Sequence, residues 1–131
     1  MTAPEIVVGR SPDQLAADVV ARLVTTLSRV QQARRRAALA LTAGSIMEQV
    51  WSALADSAAA RSLDWSGVDV FWGDERFVPA GSPDRNDAPA DRILFNHAPF
   101  SAAARFPMPT AGGQFGDDLD AAAAGYADVL Y

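Results

Sequence analysis

Two short apolar runs limit this chain more than any other feature. Ala37-Ala38-Leu39-Ala40-Leu41 and Val68-Asp69-Val70-Phe71-Trp72 are each five residues long, and each ends in a glycine-bearing polar turn. The first is apolar at every position, the pattern of a buried parallel strand, although alanine is a weak strand former. The second is the clearest strand of the sequence. Between them Ile46 to Ala60 reads as a helix with Val50 and Leu54 on its inner face. Strand, helix, strand in this order predicts a parallel pair joined by a crossover, and hence an α/β domain.

The flanking segments extend the pattern. Ile6-Val7-Val8 is β-branched and predicts a first strand. Ser11-Pro12-Asp13 supplies a cap, a proline suited to the first helical position and an acid at the positive dipole end. Leu15, Val19, Leu23 and Leu27 recur every fourth residue, which predicts a helix over 12–32. Arg34-Arg35-Arg36 reads as a solvated turn. Residues 81–89 are turn-rich, and a short helix is expected over 86–96, with Pro89 in its first turn. Phe106-Pro107-Met108-Pro109 allows only a brief edge strand. Asp117 or Asp118 caps a last helix through Leu130, with Leu119, Tyr126 and Leu130 apolar. This helix reaches Tyr131 without a stop signal, and a small sheet would leave an apolar edge. A partial domain is therefore expected, with a C-terminal half or a partner chain completing the sheet.

Composition narrows the function classes. A formal net charge of -5 offers no broad basic face for nucleic acid. The chain has no cysteine, which excludes disulfides, thiolate metal sites and cysteine nucleophiles. No segment approaches the roughly 20 apolar residues of a membrane helix, and no signal-peptide pattern follows Met1. The expected setting is the cytoplasm, with no membrane association.

Two clusters carry candidate chemistry, and both follow strands, where open parallel sheets bind ligands. Thr42-Ala43-Gly44-Ser45 joins strand to helix. Gly44 lets backbone approach an anion, the helix offers free N–H groups, and Ser45 adds a hydroxyl. The same turn is compatible with a simple cap. Gly73-Asp74-Glu75-Arg76 places three charges directly after a buried strand. Arg76 has the planar fork that matches phosphate oxygens. Asp74 or Glu75 can orient it or act as acid or base, and a structural ion pair is the competing reading. Trp51, Trp65, Trp72, Phe77, Phe95 and Phe106 are expected in the core. The single histidine, His97, lies at a helix exit, where it suits the helix C-terminus better than a metal site or a general base.

Phe71-Trp72-Gly73-Asp74-Glu75-Arg76-Phe77-Val78-Pro79 resembles the signature of the 6-phosphogluconolactonase family. The resemblance extends through Leu63 to Val68, the Thr42–Ser45 turn, Pro83-Asp84-Arg85-Asn86, and Gly116 to Asp120 ahead of the last helix. It implies a three-layer αβα fold with a mostly parallel, Rossmann-like sheet, of which residues 1–131 are the N-terminal half. It implies hydrolysis of 6-phospho-glucono-1,5-lactone to 6-phosphogluconate in the pentose phosphate pathway, with no metal or organic cofactor. The small-molecule partner is a sugar phosphate. Carried over by resemblance, Gly44, Ser45 and Arg76 hold the phosphate, Asp74 and Glu75 shape the pocket, and Asn86 supports it. Ala43 and Ile46 depart from the family pattern. Ala43 restricts the turn, and Ile46 removes a hydroxyl donor. The family's histidine-bearing Gly-x-Gly-Pro-Asp-Gly-His-Thr segment, the source of the expected general base, does not occur in these residues. The alternatives are a sugar-phosphate isomerase or deaminase of the same fold, and a non-catalytic fragment.

Overall fold

In a computed structural model that describes residues 2–131, helix α1 spans Pro12–Arg34. Ser11 accepts a hydrogen bond from the Gln14 N–H, and Pro12 opens the helix, as the capping signals predict. Ala16, Val20 and Leu27 lie buried along one face. The helix stops at Arg35, whose φ of 66° ends the right-handed run and whose N–H donates to the Gln31 carbonyl. Strand β1 (Ala37–Leu41) follows, then α2 (Ser45–Asp56), α3 (Ala58–Arg61) and β2 (Val68–Trp72). The expected helix over 46–60 is thus two helices. Ser57 adopts an extended backbone and caps α3 by accepting from the Ala60 N–H.

Strands β1 and β2 pair in parallel, with Ala37 opposite Val68 and Leu41 opposite Trp72. A two-residue strand, β3 (Ala104–Arg105), pairs in parallel on the other side, so β2 is central. The expected edge strand at 106–109 therefore sits just upstream of the prolines, where backbone N–H groups are still available for the ladder. The α/β reading with a parallel sheet holds.

One face of the sheet carries the core. Val68, Val70 and Trp72 share it with Ala37 and Leu41, and all five are buried against α1 and α2 residues. Trp65 packs edge-on against Phe95 and Phe100 within the same cluster. Beyond β2 the chain forms α4 (Asp87–Ala90), which widens into a π-helical turn over Asp91–Phe95 and buries Leu94 and Phe95. Helix α5 (Leu119–Leu130) starts at Asp118, whose side chain accepts from the Ala121 N–H.

Four further expectations need correction. Residues 6–8 form no strand. Ile6 and Val8 are 85% and 87% exposed, because no ladder partner lies beside them among the described residues. Their arm is tied to α1 by an ion pair between Glu5 and Arg22. Strand β1 is not buried on both faces, since Ala38 and Ala40 are exposed on the side opposite the core. Arg36 is not merely solvated: it pairs with Asp69 on β2 and donates to the Ser66 carbonyl, tying the turn between α1 and β1 to β2 and its approach. Leu119 and Leu130 remain exposed, and only Ala122 and Tyr126 of α5 are buried.

Candidate functional site

The loops after β1 and β2 leave adjacent strand ends, where the Gly73 N–H donates to the Leu41 carbonyl at 2.8 Å. The first loop is open. Gly44 has φ 131° and ψ 162°, a conformation that is essentially glycine's alone. It precedes α2 with no side-chain cap. The first bond of this turn runs from the Glu48 N–H to the Gly44 carbonyl, so the N–H groups of Ser45, Ile46 and Met47 have no partner within the helix. Gly44 and Ser45 are both exposed.

The second loop is closed on itself. The Glu75 side chain is 2% exposed, and its carboxylate accepts from three backbone N–H groups. These belong to Arg76 at 2.8 Å, Asn86 at 2.6 Å and Asp87 at 3.0 Å. The Asn86 side-chain amide donates to the Asp74 carbonyl at 3.3 Å. Arg85, also 2% exposed, lies against Glu75 at 3.6 Å and Asp87 at 2.8 Å. Three charges after a buried strand are thus reconciled by folding one acid inward onto backbone donors and a buried arginine.

Arg76 is left outside this network. Its side chain is exposed and has no hydrogen bond or ion pair among the described residues. With Asp74 and Phe77 it lines a cleft of about 290 Å³, walled on the other side by Met108 and Pro109 and closed by Leu119, Ala122, Ala123 and Tyr126 of α5. The Tyr126 hydroxyl fixes the helix there. It accepts from the Trp72 N–H at 3.2 Å and donates to the Phe106 carbonyl at 2.7 Å, bridging β2 and the strand end beyond β3.

The structure therefore gathers Asp74, Glu75 and Arg76 around one cleft, with Asn86 behind them. Gly44 and Ser45 sit at the neighbouring strand end and do not line that cleft. Phe77 and Phe106 are not core residues: Phe77 is half-buried at the cleft, and Phe106 is exposed while stacking on Phe71. His97 caps the π-helical turn, its Nε2 lying 2.9 Å from the Arg92 carbonyl. Among the described residues no group of three or more histidine, aspartate or glutamate side chains could hold a metal ion. None of the helices there is long and apolar enough to cross a membrane.

Arg85 is the residue that sequence reasoning misses. Its one local signal is a charged residue beside Asp84 and Asp87 in a proline-rich turn, and that pattern ordinarily reads as solvated surface.

Fold and site together define an α/β protein with two polar loops side by side at the carboxyl ends of parallel strands. Residues 10–131 match the glucosamine-6-phosphate isomerase/6-phosphogluconolactonase family, and the chain belongs to it. It is 39% identical over 127 residues to a 6-phosphogluconolactonase of Streptomyces coelicolor, covering 97% of this chain and 49% of that protein. The 6-phosphogluconolactonase of Mycobacterium tuberculosis is 41% identical over 118 residues, covering 90% and 47%. A 6-phosphogluconolactonase structure from Trypanosoma brucei superposes with a TM-score of 0.77 at 26% identity, over 98% of this chain and 48% of that one. One from Shewanella baltica gives 0.79 at 23% identity over 92% and 48%, a likeness of fold alone. The chain spans about half the length of the curated relatives it matches.

Proposed function

We propose that residues 1–131 are the N-terminal, phosphate-binding half of an enzyme that hydrolyses 6-phospho-glucono-1,5-lactone to 6-phosphogluconate in the pentose phosphate pathway. The observation that carries this reading is Arg76. It is the cationic one of two charges of its loop, with Asp74, that are exposed and unpaired among the described residues, and it stands at the rim of a cleft in a family of sugar-phosphate enzymes. A planar guanidinium donates to two phosphate oxygens at once. The Gly44 backbone and the Ser45 hydroxyl, at the unpartnered start of α2, are assigned to the same phosphate from the neighbouring strand end, outside the cleft that Arg76 lines. Asp74 faces the cleft, while Glu75 and Asn86 hold the loop's shape.

In the reaction, a general base takes a proton from water as its oxygen attacks the lactone carbonyl. The ring ester bond then breaks, and the ring oxygen leaves as a hydroxyl after gaining a proton. Base catalysis of this kind contributes roughly 10²–10⁴-fold. We assign the base to a histidine in a segment beyond Tyr131, because His97 is committed to a helix end. Neither a metal nor an organic cofactor enters this scheme. The C-terminal half, on the same polypeptide or a partner chain, completes the sheet. The cytoplasm is the setting proposed for the enzyme, as for the sugar-phosphate pathway to which the reaction is assigned. The net charge of -5 argues against a nucleic-acid partner.

The family also includes glucosamine-6-phosphate isomerases. The string from Trp72 to Pro79 and the names of the relatives favour the lactonase. The test uses the polypeptide purified from its source, with its intact mass measured on the same sample. Lactone hydrolysis without ammonia release from glucosamine 6-phosphate is expected, at about twice the mass of this chain. Ammonia release without lactone hydrolysis would move the protein to the other branch. Neither activity at the mass of this chain would leave a non-catalytic fragment.

A further inference from the structure

We propose that Arg85 is a positioning residue that sets the width of the phosphate cleft and the aim of Arg76. This rests on the reading of Arg76 as the phosphate-binding residue. A guanidinium has five N–H donors, and each of those on Arg85 has a direction assigned. The two on Nη1 serve the carbonyls of Arg76 at 3.1 Å and Pro109 at 3.2 Å. The two on Nη2 serve the Met108 carbonyl at 2.7 Å and the Asp87 carboxylate at 2.8 Å. Nε faces the Glu75 carboxylate at 3.6 Å.

Two consequences follow. Four of the five donors are hydrogen-bonded, the fifth faces a carboxylate, and the side chain is 2% exposed, so Arg85 does not bind substrate itself. Its acceptors belong to both walls of the cleft: Arg76 on one side, Met108 and Pro109 on the other. One buried side chain therefore spans the gap beneath the cleft and fixes the backbone from which the Arg76 side chain projects. A lysine has three donors on a single nitrogen and cannot reach all of these acceptors.

The test is a double-mutant cycle on lactone hydrolysis, using the protein expressed from its full natural reading frame. The Arg85→Lys variant keeps the charge. It should raise the KM for the phosphorylated lactone about tenfold, with kcat moved far less. Because the effect passes through Arg76, the same change in an Arg76→Ala background should raise KM by less than about twofold further. Equal KM factors in the two backgrounds would overturn the proposal. So would an unchanged KM with a lowered melting temperature, the mark of a role in stability alone. Arg85→Met gives a second reading of the cycle, and the lysine variant still decides the matter if the methionine variant does not fold. Failure of the underlying reading is seen separately: Arg76→Ala by itself would then leave KM unchanged.

Discussion

The loop after β1 and the loop after β2 leave the same end of the sheet and are built in opposite ways. In the first, Gly44 and Ser45 are exposed, the helix start is uncapped, and no side chain holds the turn. In the second, Glu75 and Arg85 are buried and tie three separate stretches of backbone together. Backbone donors need only the right φ and ψ to face an anion, so a turn made from them needs little support. A long, flexible arginine needs a rigid base, because an unanchored side chain loses rotamer entropy on binding. The second loop therefore demands particular residues, Glu75 and Arg85, where the first demands only a glycine conformation.

Substitutions can break or sharpen that contrast. The largest effect is expected for Glu75→Ala, which leaves three backbone N–H groups and part of the Arg85 charge buried without an acceptor. A loss of about 3 kcal/mol in urea unfolding is expected. Gly44→Ala meets no atom within 4 Å, so its cost is purely conformational, about 2 kcal/mol. Tyr126→Phe removes the hydroxyl between the Trp72 N–H and the Phe106 carbonyl and should cost about 1–2 kcal/mol by the same measurement. Ser45→Ala, on the open turn, should stay within about 0.5 kcal/mol. A Ser45→Ala loss as large as that of Glu75→Ala would erase the distinction between the loops.

The smallest effect concerns the N-terminal arm. The Arg22 guanidinium holds the Glu5 carboxyl below the ordinary glutamate value, through its hydrogen bond first and its charge second. A carboxyl lowered on folding adds stability above its unfolded pKa, and that stability is lost as pH falls through the lowered value. Both side chains are exposed, so the arm should loosen in acid with little change in global stability. An NMR titration of Glu5 should show the lowered midpoint returning to the ordinary value in Arg22→Ala.

What was legible in the sequence was local. The Ser11 and Asp118 caps, the α1 helix and the β1 and β2 runs need only neighbouring residues to be recognised, and the structure has them all, although the buried face of α1 runs through Ala16, Val20 and Leu27 and leaves Val19 exposed. What was not legible depends on distant partners. Ile6-Val7-Val8 has strand chemistry, yet a strand exists only where another edge pairs with it. The exposed face of β1 cannot be told from a buried one when its residues are alanines. Arg85 reads as a surface charge until residues 75–76, 87 and 108–109 converge on it. The break at Ser57 turns on one side-chain cap inside an otherwise continuous apolar pattern.

The central claim is that Arg76, held out by its loop, grips the substrate's phosphate. The most direct measurement is the ratio of kcat/KM for 6-phospho-glucono-1,5-lactone to that for unphosphorylated glucono-1,5-lactone, in the natural protein and in Arg76→Ala. A charge-assisted hydrogen bond of roughly 1.5–3 kcal/mol corresponds to a fall in that ratio of about 10- to 150-fold. The account predicts a fall of this size, arising from the phosphorylated substrate alone. An unchanged ratio, or an equal loss on both lactones, would contradict it.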